Sequence, residues 1–242
     1  YHAVNEKGFQ DLGIEFSIYG RTHCPRHEEV SQAFFERLHE KGHIQKRTAK
    51  QVYCTECEMF LPDRYIEGTC HHADCGKPQA HGDQCEACGR PIEATQLKDP
   101  ACMVCRMLGR EGKGHIEVRE NVQWYLQLDT FEKDLRAYLD QHPEWRETVK
   151  RFSYGLLDEG LRERCITRDL DWGVPVPLDE AEGKVLYVWF DAPIGYITFT
   201  QQHFEAEDAP ERWKEFWWDE SAALVHFIGK DNRSEERRVG KE

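Results

Sequence analysis

Eight of the ten cysteines form four close pairs: Cys54/Cys57, Cys70/Cys75, Cys85/Cys88 and Cys102/Cys105. Close pairs in one short region are typical of tetrahedral zinc sites in a reducing, cytoplasmic environment rather than of a disulfide framework. Four thiolates fill the coordination sphere of zinc, so such sites are structural. The spacing predicts about two structural zinc ions per chain. The two single cysteines, Cys24 and Cys165, are expected to be small buried side chains.

The residues alone leave open which cysteine pairs share an ion. Joining neighbouring pairs closes shorter loops and therefore costs less entropy. Nesting the two middle pairs inside the two outer pairs is favoured by Gly76 and Gly89, because each follows a middle pair and glycine adopts the positive φ of a tight knuckle. His71 or His72 could also replace one thiolate.

A second kind of chemistry is indicated by WFDAPIGY, which follows a nearly unbroken apolar run. Ligands of open α/β sheets bind beyond the carboxyl ends of the strands. Trp189, Ala192, Pro193 and Tyr196 therefore predict an apolar pocket for a small unbranched side chain. The alternative is that these aromatic residues belong to an ordinary core.

Two further segments carry groups that suit a nucleotide. In HFIGKDN, Gly229 permits close approach of a ligand to the backbone, and Asp231 can accept from a ribose hydroxyl. In TRDLDWG, Arg168 could meet a phosphate. An ordinary turn and a surface arginine are the alternatives for these two segments.

Helical periodicity positions part of this chemistry. The stretch HEEVSQAFFERLHEKG places Val30, Phe34 and Leu38 on one face and predicts a helix that stops at Gly42. Residues 43–53 are expected to be extended. A second helix is predicted in LDTFEKDLRAYL, with Asp129 and Glu132 forming a capping box.

Two apolar runs predict strands that are covered on both faces. They are KVLYVWFD and AALVHFIG, and amphipathic, tryptophan-rich sequence lies between them. Strand, helix and strand in this order indicate one unit of a parallel α/β sheet. The cysteine-rich part between them and the first helix has few apolar residues, so metal must substitute for a conventional core.

Composition fits a globular protein, with 32% charged and 39% hydrophobic residues. No apolar run approaches the ~18 residues of a membrane span, and the polar start gives no support for secretion. The formal net charge of −13 leaves no broad basic surface for nucleic acid.

Segments in series resemble methionyl-tRNA synthetases from about Leu12 to Asn232. The segments are LGIEFSIYGRTH, YCTECEMFLPDRYIEGTC, HGDQCEACGR, ITRDLDWGVPVP, YVWFDAPIGY and LVHFIGKDN. The resemblance implies an α/β fold: a Rossmann-type class I synthetase catalytic domain, partial in this chain, interrupted by a zinc-knuckle connective insertion. The implied activity is ATP-dependent activation of methionine to methionyl adenylate, followed by transfer to tRNA(Met).

The resemblance also implies roles for individual residues. Methionine would contact Trp189, Ala192, Pro193 and Tyr196. Arg168 and Asp231 would serve the activation step, and Gly229 and Asp231 would lie near the adenylate ribose of ATP, which is used with Mg²⁺. Nesting is favoured, with an inner zinc site at Cys70, Cys75, Cys85 and Cys88 and an outer site at Cys54, Cys57, Cys102 and Cys105.

Five segments are predicted: 1–47, the first part of the catalytic domain; 48–125, the zinc-binding insertion; 126–183, a helical return; 184–232, the second part of the catalytic domain; and 233–242, an artefactual tail. The HIGH-like and KMSKS-like ATP motifs and an anticodon-binding domain are expected to lie outside the chain, which predicts that the fragment alone is inactive. The alternative function is a zinc-ribbon module that binds RNA or protein.

Overall fold

The computed structural model describes residues 1–62, 64–82, 85–90 and 92–225. Its α-helices are α1 (His2–Asp11), α2 (Pro25–Glu40), α3 (Met103–Met107), α4 (Glu132–Asp140), α5 (Glu147–Glu159), α6 (Val188–Asp191), α7 (Ile194–Ala206) and α8 (Lys214–Trp217). Its strands are β1 (Ile44–Cys54), β2 (Met59–Phe60), β3 (Ile66–Thr69), β4 (Ala80–His81), β5 (Lys98–Cys102), β6 (Ile116–Leu126), β7 (Arg164–Cys165), β8 (Thr167–Arg168) and β9 (Val185–Leu186). The predicted extended segment 43–53 corresponds to β1.

The strands of the described residues form three sheets with the orders β2-β1-β6-β7, β4-β3-β5 and β8-β9. The pairs β1–β2, β3–β4, β3–β5, β6–β7 and β8–β9 are antiparallel. The register of β3 and β5 sets Ile66 opposite Cys102, which fixes one cysteine of the insertion relative to the sheet.

The chain divides into two compact units. The first unit comprises Tyr1–Arg47 and Gln123–Ala222, and the second unit comprises Thr48–Val122 and, among the described residues after it, 223–225. The chain passes from one unit to the other within β1 and again within β6. The finer division into five segments stays a prediction.

Cysteines form much of the interior of the second unit. Its buried cluster consists of Val52, Cys54, Leu61, Ile66, Cys70, Ala80, Cys85, Ile92, Leu97, Cys102 and Cys105. Thiols occupy positions that larger aliphatic side chains would fill in an ordinary core. The apolar area available for burial is correspondingly small, so this unit depends on something besides packing.

Helix α2 of the first unit packs against α7, but not with the predicted face. The buried residues of α2 are His27, Ser31 and Phe35, while Phe34 is 40% exposed. The predicted helix is therefore confirmed, but its apolar row is not the buried face, since Phe34 is exposed and Val30 and Leu38 are only partly buried. The actual face buries two polar residues that hydrogen-bond within the core. Lys41 closes the helix, and Gly42 follows at φ 77°, as the predicted stop requires.

The predicted capping box is not formed. The 3₁₀ turn Leu128–Phe131 precedes α4, whose N-cap Phe131 makes no side-chain cap hydrogen bond. Glu132 instead accepts a hydrogen bond from the backbone N–H of Leu161. A contact distant in sequence therefore replaces the local cap.

The apolar run KVLYVWFD is a strand only at Val185–Leu186 and continues as α6. Val188 and Trp189 are more than half exposed, so the expectation of a long strand covered on both faces is wrong. A short apolar run has no periodicity that separates strand from helix. In AALVHFIG, Ala222–Val225 is not a strand, and the remainder lies outside the described residues.

Candidate functional site

The outer cysteine group lies in the second unit, where the turn between β1 and β2 meets the junction of β5 and α3. Cys54 ends β1, Cys57 follows in the turn to β2, Cys102 ends β5 and Cys105 lies in α3. The Sγ atoms of Cys54 and Cys105 are 3.6 Å apart, and Cys57 Sγ lies 3.3 Å from Cys105 and 3.9 Å from Cys102. Sulfurs about 2.3 Å from one tetrahedral ion lie roughly 3.8 Å from each other. The outer group therefore has the dimensions of a metal site.

The inner cysteine group consists of Cys70, Cys75, Cys85 and Cys88, whose Sγ atoms lie within 4.8 Å of one another. Cys75 and Cys85 approach to 3.6 Å. Gly76 and Gly89 have φ angles of 56° and 69°, as the knuckle prediction expects. The outer group achieves the same backbone conformation without glycine, because Glu58 after Cys57 has φ 53°.

The nested arrangement is confirmed, and the pairing of neighbours is wrong. Neighbour pairing rested on loop-closure entropy, which grows only slowly with loop length. The pairing of β3 with β5 places Cys102 by sheet register instead. Hydrogen bonds of a sheet therefore override the small entropic preference for neighbours.

Histidine does not replace a thiolate in either group. Each group already contains four cysteines. His72 Nδ1 lies 3.3 Å from Cys70 Sγ, so His72 is a hydrogen-bond partner beside the inner group. The rings of His71 and His72 lie with their centres 4.0 Å apart and are tilted by 33° to each other.

The electrostatics of both groups call for a cation. Burial raises the pKa of Cys70 to about 12 and that of Cys102 to about 11. The hydrogen bond with Cys57, followed by burial, raises the pKa of Cys105 to about 11. These three thiols therefore hold their protons unless a positive charge lies among them. Burial also opposes ionisation of Cys54, but hydrogen bonds from the backbone of Cys57 and with Cys105 outweigh it and lower the pKa of Cys54.

Arg90 supplies a positive charge at the edge of the inner group. Burial opposes ionisation of Cys88, but hydrogen bonds from Arg90 outweigh it and lower the pKa of Cys88 to about 6. Arg90 also pairs with Asp74 at 2.5 Å and lowers the pKa of that carboxyl. Four thiols with no other ligand type fit a closed structural ion, and the described sulfur geometry fits zinc.

The two single cysteines are only half-buried, so the expectation that they are buried side chains is wrong. Cys24 Sγ accepts a hydrogen bond from Gln202 Nε2 at 3.5 Å, and Cys165 Sγ donates to the carbonyl of Thr167 at 3.4 Å. Both thiols therefore make polar contacts in place of full burial.

The four residues predicted to contact methionine lie on one continuous segment of the first unit. Trp189 belongs to α6, Ala192 and Pro193 join α6 to α7, and Tyr196 is in the first turn of α7. Trp189 is 61% exposed and Tyr196 is 70% exposed. The alternative that these two rings are ordinary core is therefore wrong, and their ligand contacts stay a prediction.

Arg168 ends β8 and is held by its surroundings. One guanidinium nitrogen donates to the backbone carbonyls of Cys165 at 3.2 Å and Thr167 at 2.8 Å. The guanidinium carbon lies 4.0 Å from the ring centre of Tyr187, within the range of a cation–π contact. Tyr187 precedes Trp189 by two residues, so this contact joins the predicted activation residue to the predicted methionine segment.

The residues on either side of Arg168 are fixed by a polar network that sequence reasoning missed. Thr167 is fully buried and donates to the side chain of Gln123, which in turn donates to Asp169. Asp169 also pairs with Lys184, whose side chain is only 10% exposed. A carboxylate needs a cation only where it is buried, and the dipeptide Arg-Asp in TRDLDWG does not show burial, so no local feature of the sequence indicated this network.

The remaining predicted site residues, Gly229 and Asp231, lie outside the described residues, as does the segment 233–242. None of the described helices is both long enough and apolar enough to span a bilayer.

Known proteins match nearly the whole chain. A methionine–tRNA ligase of Parabacteroides distasonis is 46% identical over 233 residues, covering 96% of this chain and 32% of that protein. The methionine–tRNA ligase of Methanopyrus kandleri is 44% identical over 234 residues, covering 96% of this chain and 33% of that protein. The chain thus spans about a third of the length of the curated relatives it matches.

A solved structure gives the same architecture. The Mycobacterium tuberculosis methionyl-tRNA synthetase in complex with methionyl-adenylate is 21% identical, with a TM-score of 0.59 over 98% of this chain and 39% of that chain. This likeness shows an α/β class I synthetase fold. The family model described as tRNA synthetases class I (M) matches residues 1–234, and the chain therefore belongs to that family.

Proposed function

We propose that the protein containing this chain is a methionine–tRNA ligase. It activates methionine with ATP and then transfers the methionyl group to tRNA(Met). The observation that carries the proposal is the contact between Arg168 and Tyr187, because it sets a fixed cation beside the segment of Trp189 and Tyr196. The relatives that match 96% of the chain carry the name methionine–tRNA ligase, which supports the same conclusion.

The first step is phosphoryl chemistry without acid–base catalysis by the protein. A carboxylate oxygen of methionine attacks the α-phosphorus of ATP, and the bond to pyrophosphate breaks, giving methionyl adenylate and pyrophosphate. Negative charge builds on the α-phosphate oxygens, so a preorganised cation stabilises the transition state. Arg168 fills this role in our proposal, since its backbone and ring contacts hold it before the substrates arrive.

Recognition of methionine rests on Trp189, Ala192, Pro193 and Tyr196. Contacts between a thioether sulfur and aromatic rings contribute about 0.3–1.5 kcal/mol each. Packing alone separates side chains that differ by one methylene by only about 10–200-fold. Gly229 and Asp231 would contact the ribose of ATP, which is bound with Mg²⁺.

The second step is acyl transfer. A ribose hydroxyl of the terminal adenosine of tRNA(Met) attacks the carbonyl carbon of the adenylate, AMP leaves, and the hydroxyl proton passes to solvent or phosphate. The two cysteine groups take no part in either step. We propose that each holds one structural zinc ion, that the ions stabilise the insertion, and that the protein works in the reducing cytoplasm, where all ten free thiols persist.

The test uses a full-length protein that contains this chain. Methionine-dependent exchange of pyrophosphate into ATP is expected in the unaltered protein, and Trp189→Ala should raise the KM for methionine at least tenfold. Arg168→Ala should lower kcat about 100-fold with little change in the KM for methionine. Trp218→Ala is the matched control, because Trp218 is another exposed tryptophan at 66%. No exchange in the unaltered protein would contradict the proposal and favour the zinc-ribbon binding module.

A further inference from the structure

His27 is a completely buried titratable residue that neither the proposed chemistry nor the metal groups use. It lies on α2 in the first unit and contacts two other helices. Its Nε2 is 3.4 Å from Asp191 Oδ2 on α6, and its Nδ1 is 3.2 Å from Thr198 Oγ1 on α7. One imidazole therefore links three helices.

The two partners of His27 bracket the predicted methionine segment. Asp191 is the last residue of α6, and Thr198 lies in α7. Ala192, Pro193 and Tyr196 all lie between these two positions in the sequence. A single side chain thus holds both sides of the turn that carries three of the four predicted contacts.

Hydrogen bonding assigns each ring nitrogen a different task. A carboxylate only accepts, so Nε2 carries the ring hydrogen that points to Asp191. Nδ1 lies 3.2 Å from Thr198 Oγ1, and the hydroxyl of Thr198 donates to the carbonyl of Ile194 at 3.1 Å. Ser31 Oγ lies 3.3 Å from Nε2, one turn further along α2.

Asp191 depends on this contact. Its other oxygen, Oδ1, is buried and has no hydrogen-bond partner among the described residues. A buried carboxylate that loses its partner carries a large desolvation cost, so removing the imidazole favours movement of Asp191 toward water. Because Asp191 ends α6, such a movement displaces Trp189 and the turn that follows.

Apolar packing supports the same three-helix arrangement. The ring of Phe35, two turns after His27 on α2, meets Phe190 edge-on with centres 6.3 Å apart. On α7, a Cβ added at Gly195 would lie 3.2 Å from Thr22, in the segment that leads into α2. The turn between α6 and α7 is therefore closely held from the side of α2, and its outer face is exposed.

We propose that His27 is a positioning residue for methionine binding, which it serves by fixing Asp191 and Thr198 so that Trp189 and Tyr196 keep their separation. The inference rests on the proposed function of the same segment. According to this inference, α2 takes part in amino-acid recognition. The sequence does not show this role, because α2 lies far from WFDAPIGY along the chain.

The test compares two substitutions in a full-length protein that contains this chain. His27→Gln keeps an N–H donor near the position of Nε2, whereas His27→Leu has similar bulk and no donor. His27→Leu should raise the KM for methionine about tenfold to 100-fold in pyrophosphate exchange, while the KM for ATP stays within about twofold. His27→Gln should restore most of the loss. Glu40→Gln, an exposed change on the same helix, is the control and should change neither constant.

Equal changes in both KM values, or no recovery in His27→Gln, would overturn the inference, since a general loss of structure would affect both substrates alike. If His27→Leu does not fold, Thr198→Val removes the Nδ1 contact together with the hydrogen bond to the carbonyl of Ile194. It should raise the KM for methionine selectively, and an unchanged KM would overturn the inference. If Trp189→Ala raises the KM for methionine while the His27 variants leave it unchanged, this inference alone is contradicted and the proposed function stands. No methionine-dependent exchange in the unaltered protein would remove the proposed function itself.

Discussion

The two units of this chain stabilise their interiors by different means. In the second unit, five of the eleven buried cluster residues are cysteines, and the eight paired thiols converge on two points. In the first unit, buried polar side chains such as His27, Gln123 and Thr167 find partners on other elements among aromatic and aliphatic residues. Stability is therefore concentrated in two ligand sets in one unit and distributed over many contacts in the other.

This difference matches the division of tasks that we propose. A unit held by two ions needs few apolar residues and can be inserted into a larger domain without its own large core. Chemistry in the other unit needs Arg168 and Trp189 held to within fractions of an ångström, and interlocking side-chain contacts provide that. Experiments that remove either metal binding or side-chain contacts test whether the two units depend on different sources of stability.

Metal removal should have the largest effect and should affect the second unit alone. A structural zinc ion contributes roughly 10–16 kcal/mol of apparent folding free energy in small domains. A chelator should therefore abolish amide-hydrogen protection within 48–122 while protection within 123–222 persists. Exchange measured by mass spectrometry checks this, and added zinc should restore protection. Equal loss in both units would show that they share one source of stability.

Double cysteine substitutions sharpen the contrast by testing which thiols share an ion. Cys54→Ser with Cys102→Ser damages only the outer group and should leave one zinc per chain. Cys54→Ser with Cys85→Ser damages both groups and should leave none. Elemental analysis reads the result directly.

Cys165→Ser is the matched control. Because Cys165 belongs to neither group, this substitution should leave the full zinc content. Neighbour pairing makes the opposite forecast for two combinations. Cys54→Ser with Cys102→Ser would then lose both ions rather than one. Cys54→Ser with Cys70→Ser would then spare one ion, whereas the nested groups require that it lose both.

The sequence predicted the metal groups better than the first unit. Thiols with zinc-site spacing have few other uses, and the resemblance resolved a pairing that the residues alone left open. The apolar row of α2 did not indicate which face is buried. His27 and Ser31 have the polar side chains of surface residues, and their burial becomes clear only from their partners on α6 and α7. The prediction of a long strand in KVLYVWFD was wrong because apolar composition does not separate a strand from a short helix.

Arg168 differs from both of these cases. The sequence predicted Arg168 itself, but it did not predict the polar network that fixes the residues on either side of it. Gln123, Asp169 and Lys184 come from three separate stretches of the chain. Only the antiparallel pairing of β8 with β9 and the course of β6 bring them together. Contacts between residues so far apart in sequence leave no periodic signal.

Thr167→Val should have a moderate effect that is confined to the first unit. The substitution keeps the side-chain volume but removes the hydroxyl that donates to Gln123 and accepts from the backbone N–H of Trp124 at 3.1 Å. Leaving buried polar groups unpaired costs about 1–3 kcal/mol. Urea unfolding of the zinc-loaded chain checks this.

The control for this substitution is Thr148→Val, an exposed threonine on α5. It should change the free energy of unfolding by less than about 0.5 kcal/mol. Equal effects of the two substitutions would mean that the network around Arg168 adds nothing beyond ordinary packing, and zinc content should be the same in both variants.

Alkaline pH should have the smallest effect, and it also acts on the first unit. Burial, followed by the nearby Cys165 thiol, raises the pKa of Tyr125 to about 12 from its ordinary value of 10. A phenol whose pKa is raised on folding favours the folded state less as pH rises, because the unfolded chain releases its proton first, between pH 10 and 12. Tyr125 is only half-buried, so solvent screening reduces the expected loss to about 1 kcal/mol.

The measurement compares unfolding of the unaltered chain with that of Tyr125→Phe at pH 8 and at pH 11. The gap in unfolding free energy between the two proteins should shift by about 1 kcal/mol in favour of the variant at the higher pH, since phenylalanine has no proton to release. Tyr138→Phe, at a position 50% exposed, controls for removal of a phenol. The same shift in both variants would contradict the assignment to Tyr125. A shift in Tyr125→Phe alone would show that burial beside Cys165, within distributed packing, is enough to alter an ionisation that no metal site controls.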